Sequence, residues 1–229
     1  MHSSLFPQKR LDQGHTVSEV DGNKLIFLRV FSMHVFGYGS LLWNPNFPYI
    51  NCTVGYIFGY SRRFCQASPD HRGTEQNPGR VVTLVPEENA KVWGLTYSIA
   101  TDKADEVREY LNYRERAGYF VVTEIFHPAD GSPKFPVNIY ISCQIANPMF
   151  CIGESLEQIA ERIINSKGRS GSNVEYILKL AHSLRKLHPN AVDKHTAELE
   201  SLVVKLCLQR KLYDKSLIEL CYAVQSHFQ

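Results

Sequence analysis

The stretch Val35-Phe36-Gly37-Tyr38-Gly39-Ser40-Leu41 combines a short apolar strand pattern with two glycines that flank a tyrosine. Glycine permits a positive φ angle and lets a ligand approach the backbone closely. Consecutive N–H groups in such a turn can also form an anion-binding nest. We therefore expect a strand that ends in a loop able to bind a carboxylate, a phosphate or a developing oxyanion. A strand-to-loop turn without a ligand is the alternative that this short pattern leaves open.

This glycine loop (Val35–Leu41) does not fit the two common nucleotide-binding motifs. The dinucleotide motif G-x-G-x-x-G needs a third glycine at position 42, where the chain has Leu42. A Walker A loop needs G-K-[ST], which is missing here. The pattern therefore favours a small anionic group over a nucleotide.

Around the glycine loop, the chain up to about residue 143 is rich in β-branched and aromatic residues, in runs bounded by Gly, Pro or Asn. These runs predict five further strands, Gly55–Cys65, Arg80–Val85, Lys91–Ile99, Tyr119–His127 and Phe135–Ser142. The polar connector Ser68–Arg80 predicts a long surface loop, and such loops are often lids or binding loops.

One helix is predicted among the strands, over Asp102–Arg116. Its apolar stripe consists of Ala104, Val107 and Leu111. Helical periodicity places Glu115 on this stripe and Glu106 on the opposite side, where we expect a surface or helix-start charge, with substrate gating as a further possibility. A carboxylate on a buried face is unusual. It predicts an ion pair with a buried arginine, a frayed helix end, or a general base whose pKa is raised by desolvation.

The second half of the chain has a helical pattern. Ser155 and Gln158 resemble a capping box at the start of one helix. A flexible break is expected over residues 168–173, and a second helix from Val174 to Leu187. Further amphipathic segments follow Asp193. Together with the strands, this pattern predicts an α+β fold with a strand-rich core, one inserted helix and packed C-terminal helices.

Composition excludes several classes of protein. The chain has 229 residues, a net charge of +2 and scattered basic residues, so we expect no nucleic-acid partner. No apolar run is long enough to span a bilayer, and Arg29 interrupts the apolar stretch of the N-terminal segment, so neither a membrane span nor a signal peptide is expected. The six cysteines form no C-x-x-C and no zinc-site spacing, which predicts reduced thiols, a cytoplasmic location and no metal.

Six stretches, in a consistent order and spacing, resemble the ChaC family of γ-glutamyl cyclotransferases. They are MHVFGYGSLLW, VGYIFGYSRRF, DHRGTEQNPGRVVTLV, VWGLTY, VREYLNYRERAGY and GRSGSNVEYILKL. The resemblance implies a small mixed β-barrel with surrounding helices, an inserted helix that carries the catalytic Glu115, and substrate binding by Val35–Leu41. It further implies glutathione as the substrate, 5-oxoproline and Cys-Gly as products, and no cofactor.

The chain departs from the family pattern at three places. Cys65 stands where the pattern has Trp, Ser142 where it has Gly, and Arg169 where it has Pro. We expect these departures to affect substrate affinity and quaternary state more than the type of reaction. The oligomeric state is not predicted.

We expect three parts in the chain: a flexible extension (residues 1–32), a γ-glutamyl cyclotransferase domain (33–190) and a helical extension packed on or beside that domain (191–229). Arg72 is expected either to contact the glycine carboxylate of the substrate or to stabilise its own turn. Tyr140 is a second possible substrate contact, His71 a weaker candidate for proton transfer, and Arg62 with Arg63 is interpreted as a solvated pair. Two other functions stay open: cyclotransfer on other γ-glutamyl amines, and a non-catalytic γ-glutamyl-binding regulator.

Overall fold

The computed structural model describes residues 31–115, 118–142 and 147–212. Five strands close into a barrel in the order β1-β3-β2-β4-β5. They are β1 (Phe31–Gly37), β2 (Asn51–Ser68), β3 (Gly79–Ala100), β4 (Tyr119–Pro128) and β5 (Phe135–Ser142). Strands β1 and β5 pair in parallel, and the other neighbouring pairs are antiparallel. The predicted α+β class with a mixed barrel is confirmed.

Strand β3 replaces two of the predicted strands. It pairs with β2 along a long hairpin that runs from Asn51 opposite Ser98 to Ser68 opposite Gly79. The register shifts where residues 87–90 bulge outward into solvent, and Asn89 adopts a φ of 64° there. Asparagine tolerates this left-handed conformation, so the strand bends at the exposed bulge without ending.

The inserted helix α1 (Ala104–Arg114) follows a short 3₁₀ turn at Thr101–Lys103. The predicted apolar stripe of Ala104, Val107 and Leu111 is buried in the core, as expected. Glu115 is the first residue past the helix, yet its N–H still donates to the Leu111 carbonyl at 2.8 Å. The side chain of Glu115 therefore projects from the end of α1, next to the buried face of that helix.

In the part of the chain that the structure describes, three helices follow the barrel: α2 (Leu156–Ile164), α3 (Asn173–Leu187) and α4 (Lys194–Gln209). The predicted capping box of Ser155 and Gln158 is present at the start of α2. The flexible break expected before α3 is wrong. It is a tight hairpin of β6 (Lys167–Gly168) and β7 (Gly171–Ser172), because backbone hydrogen bonds pair the two short strands.

Helix α4 packs against α2, α3 and β2. Its Leu199 and Val203 are fully buried in the same apolar core as the barrel. Across the described ranges, none of the helices combines the length and the apolar character needed to cross a lipid bilayer. Most of the predicted extension at residues 1–32, and the chain from residue 213 onward, lie outside the described residues.

Candidate active site

A cavity of about 450 Å³ lies at one end of the barrel, within the size range of small-molecule pockets. Its wall comes from the glycine loop, the connector after β2, the start of β3, the end of α1 and the β6–β7 hairpin. Five residues of the glycine loop line it: Phe36, Tyr38, Gly39, Ser40 and Leu41. Val35 and Gly37, which the resemblance also assigned to substrate binding, are outside this lining, and Val35 is fully buried in β1.

The glycine loop turns into a 3₁₀ helix at Ser40–Leu42, where the Leu42 N–H donates to the Gly39 carbonyl at 3.0 Å. The positive φ that the glycines were expected to adopt is absent, and Gly39 has φ −120° and ψ −128°. A Cβ on Gly39 would lie 3.1 Å from Val82 Cγ2 and 3.3 Å from the Tyr176 hydroxyl. A side chain at position 39 would therefore require Val82 or Tyr176 to move by a few tenths of an ångström.

Glu115 lines the same cavity as the glycine loop. Its side chain is 20% exposed. Burial raises the pKa of the Glu115 carboxyl, and the neighbouring Arg114 guanidinium partly opposes that rise. The helix end therefore brings a carboxylate with a raised pKa to the wall that faces the glycine loop, which is the arrangement expected of a general base.

Arg114 connects Glu115 to the glycine loop, and the sequence interpretation overlooked it. Its guanidinium donates to Ser40 Oγ at 2.7 Å and to the Asn44 carbonyl at 2.9 Å. Its Nε lies 3.5 Å from Glu115 Oε1. The position of Arg114 directly before Glu115 at the end of the predicted helix was the available signal.

Neutral hydroxyl groups surround the Glu115 carboxylate. Burial first, and then the Glu115 charge, raise the pKa of Tyr38 well above its usual value, while burial and nearby groups that include Glu115 do the same for Tyr119. The Tyr38 hydroxyl donates to the Tyr140 carbonyl at 2.7 Å, and the Tyr140 hydroxyl donates to Asn112 Oδ1 at 3.0 Å. These groups stay protonated at neutral pH and serve as hydrogen-bond donors. Tyr140, predicted as a substrate contact, does line the cavity.

Arg72 also lines the cavity, but its charge is already paired. Its guanidinium donates to Glu175 Oε2 at 2.8 Å and to the Ser172 carbonyl at 3.0 Å. It also lies over the Tyr176 ring, 5.7 Å from the centroid. This geometry favours the structural role that the sequence left open for Arg72, because the side chain attaches the connector after β2 to the start of α3.

The connector between β2 and β3 is attached to the β6–β7 hairpin. The backbone N–H groups of Arg169 and Ser170 donate to the Asp70 and His71 carbonyls at 3.1 and 3.0 Å. The Arg169 guanidinium pairs with Asp70 Oδ2 at 2.7 Å and remains half exposed beside the cavity. Arg169, one of the departures from the family pattern, thus places a solvent-accessible cation at the cavity wall.

Arg62 corrects the prediction of a solvated arginine pair. Only Arg63 faces solvent, where it pairs with Glu87. Arg62 is 3% exposed, and its Nε donates to the Tyr38 carbonyl at 2.8 Å. The prediction is wrong for Arg62 because successive strand residues point to opposite faces, so neighbouring arginines have different surroundings.

Within the described residues, no three His, Cys, Asp or Glu side chains come together in a way that could hold a metal ion.

The sequence matches the ChaC-like protein family over residues 33–206. This chain belongs to the ChaC-like family. The match extends past the boundary at residue 190 and includes most of α4.

Individual relatives agree with this membership. A glutathione-specific γ-glutamylcyclotransferase 1 from Danio rerio is 39% identical over 176 residues, which are 76% of this chain and 89% of the relative. The glutathione-specific γ-glutamylcyclotransferase of Schizosaccharomyces pombe is 38% identical over 189 residues, 76% of this chain and 93% of the relative. A crystal structure of the glutathione-specific γ-glutamyl cyclotransferase from yeast superposes with a TM-score of 0.70 at 31% identity, covering 76% of this chain and 96% of that one.

Proposed function

We propose that this member of the ChaC-like family degrades glutathione by cyclising its γ-glutamyl group, releasing 5-oxoproline and Cys-Gly. The observation that carries the proposal is that a buried carboxylate, Glu115, and the glycine loop line one cavity. The relatives named above add the substrate, since their names specify glutathione.

The nucleophile of this reaction belongs to the substrate. The α-amine of the γ-glutamyl group attacks its own γ-carbonyl carbon, a five-membered lactam forms, and the C–N bond to cysteine breaks. Holding the amine and the carbonyl in this geometry can supply about 7–11 kcal/mol of the barrier reduction. A serine or cysteine nucleophile is therefore unnecessary, and the protein has to manage only the proton and the negative charge on the oxygen.

Glu115 is the residue that we assign to proton transfer. An α-ammonium group has a pKa near 8 and an ordinary Glu about 4.3, so the mismatch costs about 5 kcal/mol. Burial raises the pKa of Glu115 and reduces this cost. In the proposed mechanism, Glu115 removes a proton from the ammonium group and returns one to the departing Cys-Gly amine.

The glycine loop is assigned to binding and electrostatic stabilisation. Backbone N–H groups around Tyr38–Ser40 hold the substrate and polarise the γ-carbonyl, whose oxygen becomes negative during attack. A glycine-carboxylate contact by Arg72 stays a prediction, and its existing pairing with Glu175 weighs against it. Among the residues that the structure describes, Cys52, Cys65, Cys151 and Cys207 form no disulfide bond, which supports a cytoplasmic location for the proposed reaction.

The test is the formation of 5-oxoproline from glutathione by purified Glu115→Gln. Gln keeps the shape of Glu but cannot accept the proton, so we expect kcat to fall about 10²–10⁴-fold. Glu109→Gln, an exposed change on the same helix outside the cavity lining, is the matched control and should retain wild-type kcat. Near-wild-type turnover by Glu115→Gln would refute the assignment.

A parallel assay separates the two alternatives. Equal turnover of γ-Glu-Ala and glutathione would indicate a cyclotransferase of broader specificity. Binding of glutathione by the wild-type protein without 5-oxoproline formation would indicate a non-catalytic regulator. The presence of both Glu115 and the glycine loop in one cavity argues against that second outcome.

A further inference from the structure

Arg62 is a buried cation behind the glycine loop. It is 3% exposed and does not line the cavity. Its three nitrogen donors have three different acceptors: the Tyr38 carbonyl at 2.8 Å, the Trp93 carbonyl at 2.7 Å and the Asp193 carboxylate. A single side chain of β2 therefore connects the glycine loop, β3 and the start of α4.

Asp193 supplies the counter-charge, and each of its two oxygens has a separate partner. Oδ1 caps α4 by accepting the Thr196 N–H at 2.8 Å, and Oδ2 pairs with Arg62. Burial alone would raise the pKa of the Asp193 carboxyl, but Arg62 and the Thr196 N–H together hold it below its usual value. Asp193 is thus a carboxylate at neutral pH, and its negative charge offsets the desolvation cost of burying the Arg62 guanidinium.

A second contact fixes the start of α4 on the same strand. The His195 Nε2 atom accepts the Phe64 backbone N–H at 3.1 Å. Arg62 and Phe64 are two residues apart on β2, and Asp193 and His195 are two residues apart at the start of α4. The two contacts hold the carboxylate of Asp193 at a defined position against β2, so the position of Arg62 is defined as well.

Arg62 thereby sets the orientation of the Tyr38–Gly39 peptide. The described residues contain no cis peptide bond, and in a trans peptide the carbonyl and the N–H point in opposite directions. The Tyr38 carbonyl is held by Arg62, which lies outside the cavity lining, whereas Gly39 is part of that lining. The Gly39 N–H consequently points away from Arg62, and Gly39 itself lines the cavity.

We propose that Arg62 and Asp193 are positioning residues that orient the Gly39 N–H towards the γ-carbonyl oxygen of the substrate. The inference rests on the proposed function for the identity of that oxygen. Neither residue touches the substrate. Asp193 acts through Arg62, Arg62 acts through the Tyr38 carbonyl, and the Gly39 N–H stabilises the oxygen as it becomes negative.

The main test is the double variant Arg62→Met/Asp193→Asn. Met occupies the space of the arginine stem, and Asn is as good a helix N-cap as Asp, so both charges leave together while the fold is kept. We expect kcat for glutathione to fall at least tenfold, with KM changed less than threefold. Amide hydrogen exchange of the peptide covering residues 36–42 should become faster.

The matched control is Arg185→Met/Glu200→Gln. This ion pair also joins α4 to the rest of the protein, with an N–O distance of 2.6 Å, but it has no bond to the glycine loop. We expect kcat, KM and loop exchange to match the wild-type protein within twofold. An equal loss of kcat in both double variants would show that the docking of α4 matters rather than the orientation of the peptide, and would overturn the inference.

The remaining outcomes also decide the question. Wild-type kcat and unchanged amide exchange of the loop in Arg62→Met/Asp193→Asn would overturn the inference that Arg62 and Asp193 are positioning residues. If the wild-type protein forms no 5-oxoproline, the proposed function fails, and loop exchange alone decides whether Arg62 and Asp193 position the loop. If the double variant does not fold, Arg62→Lys replaces it under the same criteria, because lysine keeps the buried charge but lacks the planar three-nitrogen fork.

Discussion

The charge state of Glu115 depends on two opposing influences that lie within a few ångströms of each other. Burial in the cavity wall favours the neutral acid, and the Arg114 guanidinium, 3.5 Å away, favours the carboxylate. The balance leaves the pKa of Glu115 above its ordinary value. A general base with a raised pKa is better matched to an ammonium proton, but more of it is protonated and inactive in mildly acidic solution.

This balance predicts the effect of Arg114→Gln on the pH profile. Loss of the guanidinium removes the influence that lowers the pKa of Glu115, so that pKa rises further. Because the carboxylate is the active form, the acidic limb of log(kcat/KM) should move to higher pH. The alkaline limb, set by the substrate's α-ammonium group, should not move. The measurement is 5-oxoproline formation across pH 4–9.

The control for that experiment is Arg63→Gln, which removes an exposed arginine paired with Glu87 away from the cavity. Its acidic limb should coincide with that of the wild-type protein. An acidic limb that stays in place in Arg114→Gln, or that moves to lower pH, would contradict the assignment of Glu115 as the base.

Two facing glycines allow the strands of the barrel to approach each other closely. Gly55 on β2 is directly opposite Gly94 on β3. A Cβ on Gly94 would lie 2.4 Å from the Gly37 carbonyl oxygen, at the start of the turn that forms the glycine loop. A Cβ on Gly55 would lie 2.3 Å from the His127 carbonyl oxygen on β4. The same kind of close approach thus occurs once beside the candidate active site and once on the opposite side of the hairpin.

We therefore expect Gly94→Ala and Gly55→Ala to differ in function but not in stability. Each should lower the free energy of unfolding by about 1–3 kcal/mol, because an inserted methyl group forces backbone shifts. Only Gly94→Ala should also lower kcat/KM, since it displaces the end of β1. Denaturant titrations would measure the free energy of unfolding, and 5-oxoproline assays at a temperature where both variants are folded would measure kcat/KM. Equal losses of kcat/KM would count against the explanation.

Helix α4 contributes to the apolar core of the whole molecule. The domain boundary expected at residue 190 would leave α4 outside the domain, but Leu199 and Val203 of α4 are fully buried in the common core, and Asp193 neutralises Arg62. Full burial of one such aliphatic side chain stabilises a protein by about 1.5–3 kcal/mol. Removing both side chains from the core and leaving Arg62 buried without its counter-charge would therefore cost a large part of the free energy of unfolding. For a whole domain that free energy is typically about 5–15 kcal/mol.

A chain that ends at residue 190 should therefore lose cooperative thermal unfolding and should form no 5-oxoproline. The control is a chain that ends at residue 212, which retains α4 and should unfold cooperatively with wild-type kcat. Calorimetry and the activity assay would distinguish the two. An active, cooperatively folded chain ending at residue 190 would show that residues 191–212 are an independent appendage.

Local patterns in the sequence were enough for several features of this protein. The capping box of Ser155 and Gln158 and the apolar stripe of α1 were predicted correctly, because each depends on residues one or two helical turns apart. The glycine loop at a strand end and the position of Glu115 at the end of α1 also followed from the sequence. Their assigned roles in binding and catalysis stay predictions until the variants are assayed.

The tertiary structure alone decided which charged side chains are paired and buried. Arg62 meets Asp193 across 131 residues of chain, and Arg72 meets Glu175 across 103. Such pairs depend on strand register and helix docking, and a shift of one residue in register would move every side chain of a strand to the opposite face. The sequence by itself therefore determined the fold class and predicted the loop and the glutamate, whereas only the folded chain brings Arg62 to both the Tyr38 carbonyl and Asp193.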